Sequence, residues 1–94
     1  MKNHIAVRSQ YLTPHDFVLS CDYITGLIEV SSSSATILKL NQKNNEVIFE
    51  HTDDATLQAE FANNIRKALI AKPGVGKIKV PLPEGFEVTF VEFG

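Results

Sequence analysis

The sequence predicts an α+β fold: an antiparallel β-meander, one amphipathic helix over about residues 54–72, then a C-terminal β-hairpin. Three observations predict it. Leu57, Phe61, Ile65 and Leu69 recur every four residues and make one apolar stripe, the period of a helix lying on a core. Upstream, apolar and β-branched runs at 23–30, 35–40 and 46–51 are separated by Ser31-Ser32-Ser33-Ser34 and by Gln42-Lys43-Asn44-Asn45, the composition of hairpin turns. Downstream, runs at 77–82 and 86–93 flank Pro83-Glu84-Gly85.

Each element follows in order. His4 to Arg8 alternates weakly and reads as a short strand at an edge. Thr13-Pro14-His15-Asp16 is a turn, because proline fixes φ and aspartate bonds its own backbone, and Phe17 to Ser20 is a short strand. In the meander, Asn41 opposite Glu46 aligns Leu40 with Val47, Leu38 with Phe49 and Thr36 with His51. Val30 opposite Ala35 aligns Leu27 with Leu38. One face then collects Leu27, Leu38, Leu40, Val47 and Phe49, and a slip of one residue scatters them. The other face holds Ile24, Ile28, Val30, Ile37 and Ile48, so both faces need cover.

Asp53 or Asp54 is the helix N-cap, since a carboxylate accepts bonds from the free N–H groups of the first turn. Gln58, Glu60, Asn63, Asn64 and Lys67 lie away from the apolar stripe, and Pro73-Gly74 ends the helix. In the last hairpin, Leu82 opposite Phe86 puts Val80 on Val88 and Ile78 on Phe90. The far side of that hairpin ends in Val91 and Phe93.

At 94 residues the chain makes one domain spanning 1–94, and its 44% hydrophobic content supports a core. A net charge of −2 argues against a generic nucleic-acid binder. The single cysteine, Cys21, allows no internal disulfide and fits a reducing compartment. Residues 1–8 carry no apolar core of a secretory signal, and no apolar run approaches the roughly 20 residues that span a bilayer.

Candidate chemistry is sparse. Pro73-Gly74-Val75-Gly76-Lys77 has the glycines and lysine of a phosphate loop, but it follows a helix, precedes a strand and continues with Ile78, so it reads as a helix stop and turn. His51-Thr52-Asp53-Asp54 lacks a third ligand at metal spacing, so no metal is expected. Nothing places a histidine beside Cys21 to make a nucleophile pair. No enzyme, cofactor or small-molecule substrate is therefore expected. Charge is uneven: between Glu60 and Glu84 there is no acid, while Arg66, Lys67, Lys72, Lys77 and Lys79 fall there. That stretch is a candidate patch for an anionic partner, nucleic acid or an acidic protein face, or else a solvated helix end and a lysine-guarded edge strand.

The run from Asp22 through Val30, the Ser/Thr-rich turn, Glu46 to Thr56, the helix and Val80-Pro81-Leu82-Pro83 carry a resemblance to small uncharacterised proteins of marine tailed bacteriophages, cyanophages among them. It extends from Leu19 to about Val88 and implies a non-enzymatic accessory or virion role, located in the host cytoplasm or the virion, with no functional residue attached. The expected function is a structural or interaction protein that self-associates. The alternative is a small module binding an anionic partner through residues 66–79, with nucleic acid the less expected partner. Phe90, Val91 and Phe93, followed by Ile28, Ile37 and Ile48, are the expected contact residues of a homo-oligomer, because the apolar surface exceeds what one helix can cover.

Overall fold

The computed structural model describes residues 3–41, 45–71 and 74–94. Strands β1 (His4–Ser9) and β2 (His15–Ser20) lead through a 3-10 turn at Cys21–Tyr23 into β3 (Ile24–Ser32), β4 (Ala35–Leu40) and β5 (Glu46–His51). Helix α1 (Ala55–Leu69), β6 (Lys77–Lys79) and β7 (Val88–Phe93) complete the chain. The fold is mixed α/β, with one helix and one curled seven-stranded sheet of order β2-β1-β7-β5-β4-β3, in which β6 also pairs with β1.

β1 is not an edge strand. It runs antiparallel to β2 along one side, while its other side takes β6 in parallel at His4 to Ala6 and β7 in parallel at Ser9. Ile5, Ala6 and Val7 are all buried. Its weak alternation is the signature of a strand with little solvent on either side. The hairpin from β1 to β2 closes tightly: Leu12 takes a left-handed φ of 61°, and the Thr13 N–H donates to the Tyr11 carbonyl at 2.7 Å.

The meander β3-β4-β5 is present with a different register. Leu38 pairs with Val47 and Thr36 with Phe49, a shift of two residues that keeps every side chain on its expected face. Between β3 and β4 the slip is one residue. Ile28 pairs with Leu38 and Val30 with Thr36, with irregularities between Ile24 and Ile28 and between Val30 and Ser32. Ile24 and Ile28 therefore pack inward against the core and not outward beside Ile37 and Ile48. The turn is Ser33-Ser34, two residues instead of four. Of the expected loop at 42–45 only Asn45 lies among the described residues.

The two last strands form as elements but do not pair with each other. β6 adds to β1, and β7 runs antiparallel to β5. Pro81 and Pro83 have no N–H to give, so a ladder cannot continue past Val80. The expected turn is there, closed by the Phe86 N–H donating to the Pro83 carbonyl at 3.1 Å.

The helix starts where its sequence signal places it and ends at Leu69, short of the expected residue 72. The Asp54 carboxylate accepts the Leu57 N–H at 3.0 Å as N-cap. Phe61, Ala62, Ile65 and Ala68 are buried, while Leu57 and Leu69 are half-buried. The sheet curls around them. β2 and β5 are three steps apart in strand order, which is about 14 Å in a flat sheet. The Phe17 and Phe49 rings nevertheless meet edge to face at 5.9 Å. Phe49 in turn meets Phe61 at 5.8 Å, and Phe61 meets Phe86 at 5.0 Å. Replacing the fully buried Phe61 with alanine removes the helix's share of this chain of rings and is expected to cost about 3–5 kcal/mol in urea unfolding. A loss below about 1 kcal/mol would take Phe61 out of the core.

Candidate functional site

Among the described residues, a grouping of reactive side chains lies inside the core. Thr36 on β4 and His51 on β5 share the inward face, and Gln58 comes from the second turn of α1. Their exposures are 0, 5 and 3%. The His51 Nδ1 lies 2.9 Å from the Thr52 carbonyl, which can only accept, so Nδ1 carries the proton. In the neutral ring Nε2 is then an acceptor, and the Thr36 hydroxyl donates to it at 2.7 Å. Thr36 Oγ1 itself accepts from Gln58 Nε2 at 3.1 Å. The same amide nitrogen donates to the Ser32 and Ala35 carbonyls at 2.8 and 2.9 Å, tying the first turns of the helix to the β3–β4 hairpin. No fully buried side-chain nitrogen or oxygen among the described residues lacks a partner.

A hydroxyl hydrogen-bonded to an imidazole whose other nitrogen is held in place has the form of a nucleophile and its base. Here it has no approach. The His51 ring is sandwiched near Phe86, at 4.6 Å, and Phe61, at 5.9 Å, and the threonine oxygen is sealed beneath them. The arrangement locks a helix to a hairpin. Sequence reasoning placed Gln58 on the solvent side, and the structure corrects this: Gln58 adjoins the buried edge of the stripe next to Ala62. The pairing of Thr36 with His51 was legible as a shared face, and the helix that completes the group was not.

The other candidates resolve one by one. Asp54 is committed to the helix cap and Asp53 accepts from the Ser33 hydroxyl, and no cluster of three or more metal-type ligands occurs among the described residues. Burial pushes the Cys21 thiol up from its ordinary pKa, and the neighbouring Asp22 carboxylate adds to the shift, so the reactive thiolate is disfavoured. Gly74 and Gly76 adopt positive φ values of 93° and 95° in the turn between α1 and β6. Pro73 and Lys72 lie outside the described residues.

Of the cations, Arg66 and Lys67 are exposed in the last turn of α1, and Lys77 and Lys79 are exposed on β6. Lys67 and Lys79 both line a cleft of about 290 Å³, together with Ala68, Ala71 and Ile78. The apolar candidates fall on two faces. Ile37 and Ile48 pair directly and are half-buried on the outward face, where Phe90 also lies, against Tyr11. Val91 points inward, and Phe93, 63% exposed, stands at the open mouth of the curl. There it borders a groove of about 300 Å³ with Leu19, Tyr23 and Leu40. No helix among the described residues is long and apolar enough to cross a membrane.

Comparison of the chain with protein families, with curated proteins and with solved structures finds no match.

The buried group makes a stability prediction. Gln58→Ala strips hydrogen bonds from two carbonyls and the threonine and is expected to destabilise by about 2 kcal/mol in urea unfolding. Thr36→Val keeps the shape, orphans His51 Nε2 and is expected to cost about 1–3 kcal/mol. Wild-type stability in both variants would mean that the group carries no structural load.

Proposed function

We propose that the protein is a non-enzymatic structural or interaction protein that self-associates. The observation that carries this reading is the uncovered outward face of the sheet. The single helix lies against the inward face, and the curl of the strands around it closes that side. Ile37, Ile48 and Phe90 are left on a face with no second layer among the described residues; Tyr11 is exposed beside Phe90, and Val18 is exposed on β2. Apolar surface of this kind on a small protein marks a contact. The sealed threonine–histidine pair and the disfavoured Cys21 thiolate support the non-enzymatic part. The likeness to small proteins of marine tailed phages adds a virion or accessory role, in the host cytoplasm or the particle.

A second reading has its own observation. Arg66, Lys67, Lys77 and Lys79 make no ion pair among the described residues, and two of them flank one cleft. An anionic partner, nucleic acid or an acidic protein face, would suit them.

Two measurements separate the readings. Light scattering on the full chain during size-exclusion chromatography is expected to give a multiple of the 10.4 kDa protomer at micromolar concentration. A protomer mass throughout would overturn self-association. Fluorescence polarisation with labelled single- and double-stranded oligonucleotides is expected to give no binding at physiological salt. Binding that weakens steeply with salt and vanishes when Arg66, Lys67, Lys77 and Lys79 are neutralised would install the second reading.

A further inference from the structure

β6 has one paired edge and one open edge, and its hydrogen bonds show which groups lie on each. The His4 N–H donates to the Gly76 carbonyl at 2.8 Å, and the Val80 N–H donates to the Ala6 carbonyl at 2.9 Å. A strand in a ladder turns its backbone groups to a given neighbour at every second residue. Gly76, Ile78 and Val80 therefore bond to β1, and the N–H and C=O groups of Lys77 and Lys79 point the other way. Among the described residues β6 pairs with β1 alone, and no other backbone bond uses those four groups.

The open edge borders the cleft of about 290 Å³ whose lining comes from the end of α1 and from residues 78–81, not from β1. The side of the cleft toward α1 is low, because Ala68 and Ala71 carry one carbon each beyond the backbone. Its far end is closed: the Asn64 side-chain amide donates to the Pro81 carbonyl at 2.9 Å, and Pro81 has no N–H of its own. The strand edge is therefore open at Lys77 to Lys79 and stops there. Lys67 and Lys79 line the cleft and Lys77 stands two residues along the strand, all exposed and none in an ion pair among the described residues. A second hollow on the β1 side of Lys79 holds Asp16, but that carboxylate is paired with Arg8 at 3.4 Å.

We infer that an extended acidic segment of a partner protein adds as an antiparallel strand to the open edge of β6, exchanging backbone hydrogen bonds with Lys77 and Lys79 in the cleft beside α1. The inference rests on the anionic-partner reading and names that partner's chemistry. Side chains alternate along a strand, so the register dictates what the segment carries. Residues level with Lys77 and Lys79 set their side chains on the same outward face as those lysines, where carboxylates are favoured. The residue between them is level with Ile78, which packs against the core, and turns toward Ala68 and Ala71, where an apolar side chain fits. The recognised pattern is acid, apolar, acid. Main-chain bonds give the attachment and the alternate side chains give the choice. A nucleic acid has phosphates for the lysines but no amide ladder for the edge.

Titration of the full chain with the peptide acetyl-Thr-Glu-Val-Glu-Thr-amide at low salt, followed by NMR, tests this. In the free protein the Lys77 and Lys79 amides are expected to exchange fast while those of Ile78 and Val80 are protected. The peptide is expected to shift the Lys77 and Lys79 amides saturably and to slow their exchange. N-methylation of the two glutamate amides removes the donors to β6 and is expected to weaken binding at least about tenfold. Reordering the peptide to Thr-Glu-Glu-Val-Thr keeps its charge, breaks the alternation and is expected to weaken binding several-fold. Lys67→Gln with Lys79→Gln, both exposed and so expected to leave the unfolding midpoint in place, is expected to do the same. If the parent, reordered and N-methylated peptides bind alike, or if a labelled oligonucleotide binds where the peptide does not, charge alone draws the partner: this inference falls and the anionic-partner reading stands. Lys77 and Lys79 amides already protected in the free protein would mean that a second copy or another part of the chain holds the edge, and would overturn the inference. If neither peptide nor oligonucleotide binds at low salt, the inference and the reading beneath it fall together.

Discussion

Everything else in the molecule depends on β1 being paired along both edges. Three of its residues, Ile5, Ala6 and Val7, are buried in succession, and its neighbours are β2 from next in the chain and β6 and β7 from the far end. Asn3, just before the strand, makes the junction explicit. Its amide nitrogen donates to the Ala71 carbonyl beyond the helix, and its side-chain oxygen accepts the Gly76 N–H, 73 positions along. Such non-local closure is slow to find and gives the last contacts of folding their leverage.

The inward face needs a second device, because the helix meets the sheet through a polar seam as well as an apolar one. Gln58 reaches two backbone carbonyls at the β3–β4 turn and the Thr36 hydroxyl next to them. Burying an amide nitrogen, a hydroxyl and an imidazole is costly unless they are paired, and here each of them is. The return is orientation: rings can slide over one another, whereas two N–H groups shared among three acceptors fix the helix against one hairpin. Chemistry that would be reactive at a surface is spent on register.

What the sequence revealed and what it hid follow one division. Signals held within a few residues were legible: the stripe from Leu57 to Leu69, the Asp54 cap, the Ser-rich turn and the inward set Leu38, Val47 and Phe49. Signals set by distant pairing were hidden. The last two strands look like a hairpin because they are adjacent, yet their partners are β1 and β5, and a parallel ladder leaves no mark in local sequence. Ile28 went to the wrong face because bulges at Ile24–Ile28 and Val30–Ser32 change the parity of β3. For the functional surface, Phe90 was named as a contact residue although paired with Ile78, and the basic run was visible as a run. That Lys77 and Lys79 turn their backbone groups to an open edge beside α1 appears only once strand pairing is known.

The central claim, that β1 is an interior strand binding both ends of the chain, is open to one direct measurement. Hydrogen exchange of the backbone amides, resolved by residue with NMR at neutral pH, reads the free energy needed to open each bond. The amides from Ile5 to Ser9 should exchange as slowly as those of Val47 and Phe49, released only by global unfolding. Exchange in β1 as fast as in the outward-facing edge of β3 would show that the strand is peripheral and would contradict the account.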